Sequence, residues 1–258
     1  MIWDLGHIMY MLISTLLMVA LLICFKILIK KDERKNLVVK VCAILTVILH
    51  YSSLYVDYFS VGEALVESTM LLPIYPCHIV MWLLVIVAFY KNKSSKIYKL
   101  LAEATFYIGI VGGTIGIMFN ENYFNNPNLA EWGVLKGMLS HSTMLLGCIY
   151  LKVGDFIKIR VSNLYGILTG LCILIVDGFL VISIFRLFDM EPPNAMYLLE
   201  NPFPSIPWIN TWAIGILGIV IGFIITSVYE LMCLEKKERW YYKLINKEGE
   251  NEHERIIN

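Results

Sequence analysis

Charge is what this sequence has least of. Asp, Glu, Lys and Arg make up 16% of its 258 residues while hydrophobic residues make up 58%. A soluble domain carries about 25% charged residues, and a chain of this size has no interior large enough to hide so much apolar surface. A soluble fold is therefore excluded, and lipid becomes the solvent. Basic and acidic residues balance at 21 each, so there is no excess positive charge for nucleic acid. Cysteine is missing from every polar loop: Cys24, Cys42, Cys77, Cys148, Cys172 and Cys233 all lie in apolar stretches. That pattern excludes an extracellular disulfide framework and leaves each thiol as apolar filler or as a reactive group. The first apolar run has no basic stretch before it, is long enough to span a bilayer, and ends at Lys30 and Lys31. It reads as a membrane helix, not a signal peptide.

What the sequence does have is seven apolar runs, over residues 8–29, 37–59, 70–90, 100–119, 134–151, 164–187 and 211–234. Each is long enough to cross roughly 30 Å of hydrocarbon at about 1.5 Å per residue. Lysines and arginines follow the first, third, fifth and seventh runs, whereas the connections 60–69, 120–133 and 188–210 contain none. Strict alternation of this kind is the positive-inside pattern. It predicts an all-α polytopic membrane bundle of seven transmembrane helices, with the N-terminus outside and the C-terminus cytoplasmic. The membrane domain is expected over residues 1–246, followed by a polar, disordered tail over 247–258. The basic stretch after residue 234, with Trp240, Tyr241 and Tyr242 at headgroup level, reads as retained topogenic charge, with a weak anionic-lipid contact as the alternative. Gly109 with Gly113, Gly112 with Gly116, and Gly218 with Gly222 form small-xxx-small pairs. These are devices for close helix approach in lipid.

Ionisable residues at membrane depth are costly and usually face the bundle interior. Counted from the outer ends of their runs, Cys77 and His78 lie roughly 10–12 Å deep. His141 is seven residues into the fifth run, His50 nine below the outer end of the second, and Asp177 ten below that of the sixth. Four helices thus bring polar groups to one level of the outer half; Glu103 lies near the other side. Singly, a membrane histidine is more often a packing partner than a catalyst, and a membrane cysteine is usually a small hydrophobe. Convergence of five such groups favours a site.

Cys77 has a distinctive backbone setting within Leu72-Pro73-Ile74-Tyr75-Pro76-Cys77-His78. Pro76 breaks the preceding hydrogen-bond ladder. A helix restarting with Pro76 at its first position sets Cys77 at a helix N-terminus. The dipole there favours the thiolate, and unpaired N–H groups of Cys77 and His78 would form an oxyanion hole. His78 points about 100° away from its neighbour. His141, from another run at matching depth, is the better base, and a cysteine activated by a histidine is a nucleophile for acyl transfer.

That segment, preceded by Glu67, resembles the Leu-Pro-x-x-x-Cys signature of the bacterial YwaF family, related to the eukaryotic transmembrane protein 164 acyltransferases. Asn194-Ala195-Met196-Tyr197-Leu198, then Asn201-Pro202 and Pro207-Trp208, is similar to the outer-loop pattern of the same family. This chain departs from that pattern in having a single Pro-Trp pair and no basic residue before Pro202. The resemblance covers roughly runs two to seven and extends distantly to the androgen-induced-gene lipid hydrolases. It implies a glycerophospholipid acyltransferase or lipid hydrolase working through a cysteine acyl-enzyme, with Cys77 as nucleophile and His141 as base. His50, His78, Asp177, Asn194 and Tyr197 are expected to bind substrate or support the site. The expected partners are a phospholipid substrate and the membrane, with no diffusible cofactor, no metal and no nucleic acid. The expected location is the plasma membrane, as a multi-pass protein of a bacterial cytoplasmic membrane. Two other readings compete. Broken helices with buried His and Asp also build proton-coupled carriers, although the two halves show no internal repeat. His50, His78 and His141 also offer enough nitrogens for zinc, although no short ligand motif accompanies them.

Overall fold

The computed structural model describes residues 4–61, 72–120, 123–124, 127–201, 208 and 210–245. Among them every regular element is helical and there is no strand. The helices are α1 (Leu5–Leu28), α2 (Asp32–Val61), α3 (Pro76–Phe89), α4 (Lys96–Met118), α5 (Trp132–Val153), α6 (Tyr165–Leu187) and α7 (Thr211–Cys233). Local chemistry sets several of their ends. Asp4, Ser95 and Asn210 are N-caps whose side chains accept the N–H of His7, Tyr98 and Ala213 at 2.9, 3.1 and 3.0 Å. Such a cap satisfies one of the four donors that a helix start leaves open.

Six of the seven helices, all but α3, are long and apolar enough to cross a membrane. The third run was expected to be a span over 70–90, but its helix has only 14 residues, roughly 21 Å. Pro76 takes its first position and Tyr75 is its N-cap, so the restart expected from the proline occurs where the sequence puts it. Before it, residues 72–75 are irregular. Non-helical backbone is tolerated at membrane depth where protein buries it, and Ile74 is 1% exposed. Glu67, the tail 247–258, and Pro202 and Pro207 of the outer-loop pattern lie outside the described residues.

Helix α5 is the axis of the bundle, packing on α1, α2, α3 and α4. Its antiparallel contact with α4 explains three of the predicted glycines. A side chain on Gly109 would meet Cys148, one on Gly113 would meet Leu145 Cβ at 2.9 Å, and one on Gly116 would meet the ring of His141. The interface glycines are therefore spaced i, i+4, i+7, not as two overlapping pairs. Gly112 faces open space apart from Val80 Cγ2 at 3.9 Å. On α7 only Gly222 makes a close approach, against Ile167 of α6, while Gly218 has nothing within 4 Å. The spacing overstated the role of both, because one helix face meets a neighbour and the adjacent one does not.

Helices α1 and α7 flank the bundle and present Leu12, Leu16, Leu17, Ile216, Leu217 and Ile225 outward. A contiguous apolar surface of this extent is untenable in water and suited to lipid. At the basic end of α7, Glu230 is 2% exposed and accepts the N–H groups of Val161 and Trp240, both at 2.7 Å. It ties the α5–α6 connection and the residues after α7 to the bundle.

Candidate active site

The restart at Pro76 puts Cys77 in the first turn of α3, half-buried against the main apolar cluster. Backbone N–H groups of Cys77 and His78 face its sulfur. The oxyanion-hole expectation is modified here. The N–H of His78 donates to the Tyr75 carbonyl at 2.9 Å, because Tyr75 as N-cap keeps its own C=O inside the first helical turn. That donor is shared, so the N–H of Cys77 is the better placed of the two.

Three helices bring histidines together beside this turn. The rings of His50 on α2 and His78 on α3 have centroids 4.6 Å apart. His141 on α5 is within electrostatic reach of His78, as is Lys136. Nδ1 of His141 lies 2.7 Å from the Gly137 carbonyl. A carbonyl only accepts, so Nδ1 carries the hydrogen and Nε2 keeps its lone pair. The bare Gly116 is what admits the ring so close to α4. On His78, Nδ1 is buried with no hydrogen-bond partner among the described residues. No group of three or more His, Cys, Asp or Glu side chains among the described residues has the geometry to hold a metal ion.

The two sequence motifs meet each other. The N–H of Met196 donates to the Ile74 carbonyl at 2.9 Å, satisfying an acceptor that the helix break leaves open. Tyr75 and Tyr197 have ring centroids 6.0 Å apart, and Tyr75 also lies 5.5 Å from His78. Leu198 and Met196 rest on Gly178, where a Cβ would stand 2.6 and 3.0 Å from their side chains. Asn194 organises this loop: its Oδ1 accepts the N–H groups of Leu199 and Glu200 at 3.0 Å each, and its amide donates to the Glu200 carbonyl at 3.1 Å. Its role is thereby scaffolding, with Tyr197 the member that reaches Tyr75. Met196 and Tyr197 have φ of 51° and 56°, a left-handed conformation that costs bulky residues on the order of 1–3 kcal/mol each. The loop holds that strain where it covers the helix break.

No hydrogen bond or ion pair joins Asp177 to a histidine among the described residues. It lies on α6 next to Gly178, with Oδ2 buried and unpartnered among the described residues. Two polar groups escaped the sequence reading. Lys136, three residues into the fifth run, donates to the His50 carbonyl at 3.3 Å; a lysine so far inside an apolar run was the available signal. His7 is completely buried, with Nε2 2.8 Å from the Ile117 carbonyl, and the Asp4 cap beside it carried no signal of burial.

The sequence model of the TMEM164 family matches residues 2–229. That stretch takes in α1 to α6, most of α7, and both motifs. No curated protein and no solved structure matches the chain.

Proposed function

This chain belongs to the TMEM164 family, and from that premise we propose that it is an intramembrane enzyme of acyl transfer. It moves a fatty acyl chain from a glycerophospholipid ester through a Cys77 thioester to a lyso-lipid, or to water. The reading includes seven membrane crossings, with the short α3 completing the third. It has the N-terminus outside and the C-terminus cytoplasmic, in a bacterial cytoplasmic membrane. The observation that carries the proposal is the juxtaposition at the Pro76 restart. A thiol in the first turn of a helix is followed at once by His78, whose ring lies 4.6 Å from that of His50. His141, within electrostatic reach of His78, has its Nδ1 on the Gly137 carbonyl; these support the reading.

In these apolar surroundings a standing charge is expensive, so the thiol proton leaves as attack proceeds. The Cys77 sulfur bonds to the ester carbonyl carbon while His141 Nε2 takes the proton. The N–H of Cys77, assisted by that of His78, holds the developing oxyanion. Collapse breaks the ester C–O bond, and the imidazolium returns its proton to the departing lyso-lipid alkoxide. The acceptor hydroxyl then attacks the thioester carbonyl and gives its proton to His141. Collapse of this second intermediate breaks the C–S bond, and the departing Cys77 thiolate takes the proton back from His141, restoring the thiol. His50, His78 and Lys136 line the approach with cationic or hydrogen-bonding groups suited to a phosphodiester, and Tyr75 with Tyr197 closes it from the outer loop.

The test is covalent capture. Purified protein is treated with a phospholipid-like thiol electrophile, and adducts are mapped by mass spectrometry. Adduct is expected on Cys77 ahead of the exposed Cys24, Cys172 and Cys233, with loss of acyl transfer in Cys77→Ala. An unmodified Cys77 among labelled thiols overturns the assignment.

A further inference from the structure

The opposite end of α3 borders a second feature. A cavity of about 880 Å³ opens on the lysine-rich face, between the starts of α2 and α4, the end of α3, and the turn after α5. Its mouth is twelve residues along α3 from Cys77, roughly 18 Å away, so it is separate from the site described above. The volume lies within the range of ligand pockets, about 300–1,000 Å³.

Its lining is unbalanced. Lys35, Lys40, Lys91, Lys93, Lys99 and Lys158 face three carboxylates, Asp32, Asp155 and Glu103. The acids are already engaged. Asp155 pairs with Lys26 at 3.0 Å and with Lys35 at 3.7 Å, and Asp32 pairs with Lys35 at 3.4 Å. Glu103 accepts the Asn163 amide at 2.8 Å. Among the described residues Lys91, Lys99 and Lys158 make no ion pair. Lys93 donates to the Val87 and Ala88 carbonyls at 2.6 and 3.3 Å and lies over the Tyr98 ring; burial first, and then Lys40 close by, hold its ammonium down to about 8.

A second observation is independent of charge. Tyr98 is 2% exposed and lines the same cavity. Its hydroxyl is buried and has no hydrogen-bond partner among the described residues. A buried hydroxyl left unpaired costs on the order of 1–3 kcal/mol, so native structures rarely keep one. The lysine ammoniums supply donors only, while Asn36 Oδ1, also in the lining, is a buried acceptor with no partner among the described residues. The occupant this set suits is a multiply charged acceptor that still carries one hydroxyl to donate, as a phosphate does.

We propose that this cavity binds a phosphate-bearing anion, with the Tyr98 hydroxyl donating to a phosphoryl oxygen and Lys91, Lys99 and Lys158 supplying the counter-charge. The phosphate belongs either to an anionic lipid headgroup of the basic-side leaflet or to a soluble phosphorylated molecule, and the recognition chemistry is the same for both.

The experiment uses the full chain purified in a neutral detergent. Sodium pyrophosphate is titrated against sodium chloride at matched ionic strength while the melting temperature is followed. In parallel, native mass spectrometry counts phosphatidylglycerol and phosphatidylcholine retained from mixed micelles. A saturable upward shift with pyrophosphate, or selective retention of phosphatidylglycerol, supports the proposal and identifies the source. Tyr98→Phe is the discriminating variant. It removes only an unsatisfied hydroxyl, so the free protein melts at the same or a higher temperature, yet apparent affinity falls about fivefold, the equivalent of one hydrogen bond. Lys99→Ala combined with Lys158→Ala lowers affinity about tenfold. Binding of neither probe above the ionic-strength control overturns the proposal, as does binding that both variants leave unchanged.

Discussion

Gly116→Ala places a methyl group where the imidazole of His141 now lies, and nothing else in the site is altered. The added carbon would overlap Cδ2 and Nε2 of the ring. Ordinary contact for such atoms is about 3.5–4.0 Å, so the ring must retreat by about 1 Å or more. Retreat is opposed by the 2.7 Å hydrogen bond from Nδ1 to the Gly137 carbonyl on the same helix. Either that bond stretches or α4 and α5 separate. Overpacking of this kind costs about 1–3 kcal/mol of stability, while a 1 Å displacement of a catalytic group costs roughly a hundredfold in rate. The assay follows the labelling rate of Cys77 by a phospholipid-like electrophile, with the melting temperature measured on the same samples. The control is Gly218→Ala, whose added carbon meets nothing within 4 Å and which should label and melt like the parent. The expected result is a rate loss of about two orders of magnitude in Gly116→Ala, out of proportion to its melting shift. If Gly116→Ala stays folded and labels within twofold of the parent, His141 does not serve Cys77. If Gly218→Ala loses as much rate, the effect belongs to the bundle and the argument from Gly116 fails.

Asn194→Ala removes three hydrogen bonds in the loop of residues 194–200 and should lower its local stability by roughly 1–2 kcal/mol. The measurement is hydrogen exchange at the Met196 amide, expected to quicken about tenfold while amides of α5 are unchanged. Glu230→Gln keeps one of two buried acceptor oxygens, stranding the N–H of Val161 or Trp240. A loss of about 1.5–3 kcal/mol is expected, with a red-shifted Trp240 emission and a lower melting temperature. At the start of α1, the Tyr123 phenol and then the His7 amide hold the Asp4 carboxyl below its usual 3.8. A depressed carboxylate contributes its stabilisation above the unfolded value and loses it as pH falls through the folded one. Exchange at the first turn of α1 should therefore accelerate below pH 3.8, and Asp4→Asn, which preserves the cap, should abolish that pH dependence.

How far the sequence reached depends on the range of the interaction involved. Apolar run length and the alternation of lysines are properties of consecutive residues, and six of the seven runs correspond to helices of spanning length. The Pro76 restart is equally local, since a proline acts on its own turn. Depth along a helix is also countable, which is why His50, His78 and His141 were placed at one level. Azimuth is not countable, because it depends on which neighbour each helix meets. Gly116 and Gly112 are both small, but only the first lies on the face that turns to α5. The meeting of the two motifs lies further still from sequence reasoning. Residues 74 and 196 are joined by one backbone hydrogen bond, and backbone groups look alike in every sequence. Their connection explains the positive φ of Met196 and Tyr197: the loop must turn sharply to deliver an N–H to the carbonyl that the proline break left open. The strain in one motif is thus the consequence of the helix break in the other, and the loop of residues 194–200 and the Cys77 turn form a single structural unit.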